Sequence, residues 1–329
     1  MAFKDVLGNE RAKKILKIAL YRNRIPNSML FCGPKGIGKK DVAMVVAKAM
    51  NCLNENDDAC ETCMNCRAIS GGKFPDVLEM QPENNVIKID HMRLLKQTAY
   101  LRPMIGKKRV FIVEDAEKMT EEASNSLLKV LEEPPFFSHI ILLTSCPHMI
   151  LSTITSRCQV LTFSPISKEA IQECLINRGY EREKAQLISL IVRGNYKQAL
   201  DVDWEDIRAK RKNVWQLLLC LLKKENVALY FQSFFASRRQ LKEELEQTLE
   251  ILSSFCRDLL VIKEKGDIRY LINMDYLDEF QKIERFITRE QALDYNYIID
   301  EALDGLRKNL NPNVLVNALF SNFMEFRNV

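Results

Sequence analysis

The apolar positions of this chain follow two regimes. Up to Phe163, short continuous apolar runs alternate with stretches of helical period. The runs Met29 to Cys32, Asp76 to Met80, Arg109 to Val113, Ile140 to Thr144 and Gln159 to Phe163 have strand length. Between them, Ala12, Ile15, Leu16, Ala19 and Leu20 recur on one helix face, and Val42, Ala43, Val45, Val46, Ala49 and Met50 on another. Ile89 to Leu101 reads as a helix that stops before Pro103. Thr120 caps a further helix that carries Glu121 and Glu122 in its first turn and ends at Pro134 and Pro135. Uninterrupted apolar strands separated by helices predict an α/β fold, a wound parallel sheet of five strands with helices on both faces.

Beyond Pro165 the pattern is helical. A compact stretch runs from Lys168 to about Asp203 and includes a turn at Gly194-Asn195 that opens a helix at Tyr196. Longer helical patterns follow, such as Trp215 to Leu222, Leu241 to Leu260 and Tyr297 to Leu310. Tyr230, Phe231, Phe234 and Phe235 read as core.

Composition narrows the class. With 329 residues the chain has room for two or three domains, and 47% apolar residues is ordinary for a globular protein. A net charge of +4 is compatible with nucleic acid nearby but does not indicate it. No apolar run approaches the roughly 20 residues of a membrane span, and the start lacks the apolar core of a signal peptide. A cytoplasmic, reducing setting is therefore expected, so the ten cysteines call for something other than disulfides.

Two segments carry chemistry. The first joins the strand ending at Cys32 to the helix after it, through Gly33-Pro34-Lys35-Gly36-Ile37-Gly38-Lys39-Lys40. Gly33, Gly36 and Gly38 let backbone N–H groups close on phosphate oxygens, and Lys39 adds a charge at a helix N-terminus. The next position normally holds a hydroxyl for Mg²⁺; here it is Lys40, which repels a cation. A second departure stands after the strand 109–113, where Glu114-Asp115 reverses the usual Asp-Glu order of an NTPase. A shift of about 1 Å at such a position costs on the order of 100-fold in rate. An ordinary turn, and acids that simply face solvent, are the plain alternatives.

The second segment contains Cys52, Cys60, Cys63 and Cys66, the last three as C-x₂-C-x₂-C. This spacing suits four thiolates around one tetrahedral zinc, which leaves no open position and so implies a structural metal. A redox pair or four unrelated buried thiols are the alternatives.

Together with Asn125-Ser126-Leu127-Leu128-Lys129-Val130-Leu131-Glu132-Glu133-Pro134-Pro135 and Ser156-Arg157-Cys158, these motifs resemble the bacterial DNA polymerase III clamp-loader branch of the AAA+ ATPases, over essentially the whole chain. The resemblance implies an AAA+ domain over 1–164 with a zinc module at 52–66, a small helical lid over 165–205, and an all-α collar domain over 206–329 that mediates oligomerisation. It implies Zn²⁺ on the four cysteines. It implies that Arg157, with Ser156 and Cys158 as its motif, serves as an arginine finger for ATP held by a neighbouring subunit; a salt bridge at the end of a strand is the plain alternative for this residue. Thr144, with Ser145, falls at the first nucleotide sensor. Lys197 falls where active members carry a sensor arginine, a third departure. All three departures point to a subunit that does not hydrolyse ATP and whose binding of ATP and Mg²⁺ is in doubt. Its partners would be gamma/tau and delta subunits in a hetero-pentamer, the sliding clamp, and primed DNA through the complex, with no membrane. The alternatives are a catalytically active gamma/tau-like ATPase and a zinc-dependent nucleic-acid module with Lys107, Lys108 and Arg109 as its basic patch.

Overall fold

The computed structural model describes residues 1–54, 57–192, 194–223, 241–308 and 310–325. The expected aromatic cluster of Tyr230, Phe231, Phe234 and Phe235 lies outside the described residues. The chain divides into two compact units, one made of Met1–Leu175 and Val192–Leu200, the other of Ile176–Ile191 and Asp201–Val329. The expected lid segment thus contributes to both.

The first unit is built on a parallel sheet of β1 (Ser28–Cys32), β2 (Val77–Met80), β3 (Arg109–Val113), β4 (Ser138–Thr144) and β5 (Gln159–Thr162), in the order β2-β3-β4-β1-β5. The three fully apolar runs become the fully buried central strands, while β2 and β5 at the edges are partly exposed. Alternation along each strand sorts the core into two layers. Met29, Phe31, Val110, Ile112, Ile141 and Leu143 face α1 (Glu10–Tyr21) and α2 (Lys39–Asn51). Leu30, Phe111, Val113, Ile140 and Leu142 face α4 (Ile89–Ala99), α5 (Glu121–Glu132) and α6 (Ser152–Thr155). The short α3 (Met64–Ser70) follows α2. Burying a side chain such as Phe31 or Phe111 contributes about 1.5–3 kcal/mol.

Two expectations are corrected here. Ile15 is exposed rather than on the buried face of α1, and Lys13 is buried instead. Lys13 lies one position from Ala12 around the helix, and its ammonium donates to the Val6 carbonyl at 2.7 Å and pairs with Glu10 at 2.6 Å, which permits its burial. Arg109 is not part of a surface patch. It is buried, donating to Asp76 Oδ1 at 2.8 Å and to the Thr98 carbonyl at 2.9 Å. Asp76 is itself fully buried and accepts from the N–H groups of Met104, Ile105 and Gly106, each at 2.8 Å.

The remaining helices of this unit are α7 (Lys168–Asn177), of which 168–175 belong here, and α9 (Tyr196–Leu200). In the second unit, α8 (Arg182–Ile191), α10 (Trp204–Lys223), α11 (Leu241–Lys263), α12 (Leu277–Ile283), α13 (Arg289–Arg307) and α14 (Pro312–Glu325) carry the core. Trp215, Phe255 and Phe280 stack edge-on there, with ring centroids 5.2–6.0 Å apart. Asp258 accepts from the N–H groups of Ile272 and Asn273, and the buried Arg211 holds Asp275 and Asn273, so the segment after α11 is tied back to the bundle.

Candidate functional site

A parallel sheet gathers the loops that follow its strands at one edge, where ligands of such folds bind. That edge holds Gly33 after β1, Gln81 after β2, Glu114 after β3 and Ser145 after β4. The sequence-predicted residues of the phosphate loop, of the acidic pair and of the first sensor are therefore brought together.

The loop keeps its glycine geometry. Gly36 and Gly38 have φ of 70° and 90°, left-handed values that glycine adopts without strain. A Cβ on Gly36 would lie 1.7 Å from Asn195 Oδ1, so Asn195 is packed directly over the loop. The Lys197 N–H donates to the Gly36 carbonyl at 3.2 Å, which sets the start of α9 on the loop as well. Lys39, whose ammonium would reach phosphate, donates instead to the loop's own carbonyls at Gly33 and, at 2.6 Å, Pro34. Burial pushes the pKa of Lys39 down, against the pull of Glu117 and Asp115.

Lys40 resolves what replaces the missing hydroxyl. Its ammonium lies 2.7 Å from Glu114 and 2.7 Å from Glu79, and Gln81 Nε2 donates to Glu114 at 2.7 Å. An internal cation thus neutralises the carboxylate that follows β3. Burial opposes the charge on Lys40, but hydrogen bonds to Glu114 and Glu79 outweigh it and hold its pKa above the ordinary lysine value. Asp115 turns elsewhere: at φ 45° it begins a short 3₁₀ turn and pairs with Lys118 at 2.6 Å. Ser145 donates to Glu117 Oε1 from both N–H and hydroxyl, at 3.1 and 2.5 Å. Thr144 is buried, and its hydroxyl accepts from the Cys146 N–H at 3.1 Å. Burial raises the pKa of Glu117, yet the donors at Ser145 and Thr144 win and lower it.

Arg157 stands at the other edge of the sheet. It precedes Gln159, the start of β5, which pairs with Met29 near the start of β1. The phosphate loop begins beyond the far end of β1, about 10 Å further along at roughly 3.3 Å per residue. Arg157 is thus set towards the opposite end of β5 from the phosphate loop. Ser156 caps α6 and Cys158, partly buried, packs against the Leu30 layer of the core.

The four cysteines also meet. The Sγ atoms of Cys52, Cys60, Cys63 and Cys66 all lie within 4.8 Å of one another. Cys60 Sγ and Cys66 Sγ are 3.9 Å apart, close to the about 3.8 Å that a tetrahedron with 2.3 Å zinc–sulfur bonds requires. The Cys63 N–H points at Cys60 Sγ and the Cys66 N–H at Cys63 Sγ, both at 3.4 Å, so backbone donors favour the thiolate forms. The Cys63 N–H, with the Thr62 hydroxyl, brings the pKa of Cys60 down to about 6. The donor set fits a structural zinc. The module is anchored by Asn65 Nδ2 donating to the Asn51 carbonyl at 2.9 Å and by Lys48 pairing with Glu61 at 2.9 Å.

Sequence reasoning missed Glu79, Gln81, Glu117 and Asn195. Glu79 sits on an edge strand and Asn195 in a turn, and neither spacing nor residue type marks them. Glu117, three residues past Glu114, was within reach of a search for further acids near the β3 terminus.

The family described as "DNA polymerase III, delta subunit" matches residues 8–167. The DNA polymerase III subunit delta' of Bacillus subtilis is 31% identical over 314 residues, covering 94% of this chain and 94% of that protein. The DNA polymerase III subunit tau of the same organism is 37% identical over 170 residues, covering 51% of this chain but 30% of the relative. Among solved structures, a DNA polymerase III gamma subunit-related protein of Thermotoga maritima aligns over 95% of this chain and 99% of its own, at 19% identity and a TM-score of 0.43, too low to add to the topology described above.

Proposed function

The chain belongs to the DNA polymerase III delta-prime family of clamp-loader subunits, and on that premise we propose that it is a subunit that does not hydrolyse ATP and that lends Arg157 to a neighbour's reaction. The observation that carries this reading is Lys40 between Glu114 and Glu79. Where a motor subunit holds Mg²⁺, this pocket holds its own ammonium. Arg157, at the sheet edge away from that pocket, supports action in trans: its fixed planar charge stabilises charge developing on a γ-phosphate held next door.

The same reading gives the chain a place in a hetero-pentameric ring with gamma/tau and delta subunits that loads a sliding clamp on primed DNA during replication in the cytoplasm. It assigns 1–164 to the AAA+ domain, 165–205 to the lid and 206–329 to the collar, and zinc on the four cysteines to a structural role. Among the described residues no helix is long and apolar enough to cross a membrane.

The test has two arms. The purified chain is expected to show negligible Mg²⁺-dependent ATPase. Arg157→Ala is expected to reduce the DNA-stimulated ATPase of the reconstituted complex by about 10³-fold at the site it serves. Turnover by the isolated chain at a motor's rate would favour a gamma/tau-like ATPase, and full activity of the mutant complex would end the trans role.

A further inference from the structure

A finger residue works better when its guanidinium is already oriented, because ordering it costs rotamer entropy, and one carboxylate holds it here. Arg157 Nε donates to Glu132 Oε1 at 2.8 Å, and its Nη2 lies 2.5 Å from the same oxygen. The third nitrogen, Nη1, donates to the Thr153 carbonyl at 2.9 Å and approaches Ser156 Oγ at 3.4 Å. Every nitrogen of the fork is therefore engaged, by α5 on one side and α6 on the other. The side chain remains 34% exposed, so an incoming anion can still approach it.

The position of Glu132 is otherwise unfavourable. It is the last residue of α5, where the helix dipole disfavours a carboxylate, and Pro134 and Pro135 follow and fix the chain direction. With Glu132 48% exposed, the ion pair contributes little to stability. What it does contribute is orientation, because a free arginine would have to give up its rotamer freedom when the neighbour's nucleotide arrives.

We propose that Glu132 is the positioning residue for Arg157, presetting the guanidinium for the γ-phosphate of the adjacent subunit. This rests on the trans role proposed above. Glu132 touches no reacting atom and acts through Arg157.

The experiment uses the reconstituted clamp-loader complex with DNA-stimulated ATPase as readout. Arg157→Ala is measured first and decides the trans role by itself. Given a loss there, Glu132→Ala is expected to lower kcat about 10-fold or more with KM for ATP changed less than about twofold, since the loss is of transition-state alignment rather than of nucleotide binding. Glu132→Gln keeps an accepting oxygen and is expected to fall between parent and Glu132→Ala. The double variant Glu132→Ala/Arg157→Ala is expected to match Arg157→Ala alone, because a positioning residue has nothing to act on once the arginine is gone. An unchanged or raised kcat in Glu132→Ala, a change confined to KM, or losses that multiply in the double variant would overturn the proposal and leave the trans role of Arg157 standing.

Discussion

The Lys40 ammonium lies 2.7 Å from Glu114 Oε1, so the position that follows the phosphate-loop lysine is ion-paired to the carboxylate that follows β3. In an NTPase those two positions share a divalent cation. Here a side chain supplies the positive charge permanently, and Glu79 shares it. These side chains stay partly solvated, so each pair is worth under about 1 kcal/mol. The consequence proposed for it is a preference against Mg²⁺ rather than a gain in stability.

Replacing Lys40 with threonine should change that preference. Lys40→Thr leaves Glu114 and Glu79 without their shared cation and restores a hydroxyl. Millimolar Mg²⁺ with ATP should then raise the melting temperature of the variant but not of the parent. Hydrolysis should stay slow, since Glu114-Asp115 remains reversed. Equal responses of parent and variant would show that Lys40 does not keep the metal out.

Metal content is the second prediction. One zinc per chain should be found by atomic absorption, and a strong chelator should lower the melting temperature, because binding to the folded state alone adds about 4 kcal/mol when free metal is 1,000 times Kd. Cys66→Ala removes the most buried thiol of the cluster and should abolish metal retention. A parent protein that purifies metal-free and is indifferent to added zinc would contradict this.

Asp76 gives a pH dependence. Burial alone would raise its pKa, but the N–H groups of Gly106, Ile105 and Met104 and the guanidinium of Arg109 prevail and hold it below the ordinary 3.8. Its contribution to stability is therefore full above about pH 4 and is lost as pH falls through the lower folded value. Urea midpoints between pH 7 and pH 3 should show the loss. Asp76→Asn leaves Arg109 buried without its counter-charge and should cost about 3–5 kcal/mol at pH 7. The difference between variant and parent should shrink on acidification, and a constant difference would speak against the linkage.

The second unit offers a fourth test. Arg211 is buried, donates to Asp275 at 2.7 and 2.8 Å and to Asn273 at 3.0 Å, and lies 4.9 Å from the centre of the Tyr276 ring. Arg211→Met keeps the apolar stem and removes the fork. The expected loss is about 2–3 kcal/mol, below the full cost of breaking a buried pair because Asp275 is partly solvated. A denaturant midpoint unchanged within error would show that packing alone holds this turn.

The five strands were legible because backbone periodicity is written locally: runs of apolar residues bounded by glycine, proline or polar residues need no knowledge of their partners. The structure lengthens β4 back to Ser138, a small shift at an element end where capping and fraying decide. The phosphate loop and the four cysteines were legible for the same reason, since their chemistry depends on short spacing. Ile15 and Arg109 were misread because exposure depends on what packs opposite. Nothing in Lys107-Lys108-Arg109 says that Asp76 waits inside the fold for the third charge.

The order of residues by itself determined the parallel α/β base, the helical remainder, the cradle with its missing hydroxyl, and a thiol cluster spaced for one ion. Only the tertiary structure decided that Lys40 would meet Glu79 and Glu114, that Lys39 would turn to the loop carbonyls, and that Glu132 would hold Arg157. The physical reason is one of range. Glycine geometry, apolar period and thiol spacing act over a few residues. A charge finds its partner only when strand order and helix direction have brought distant segments within about 3 Å of each other.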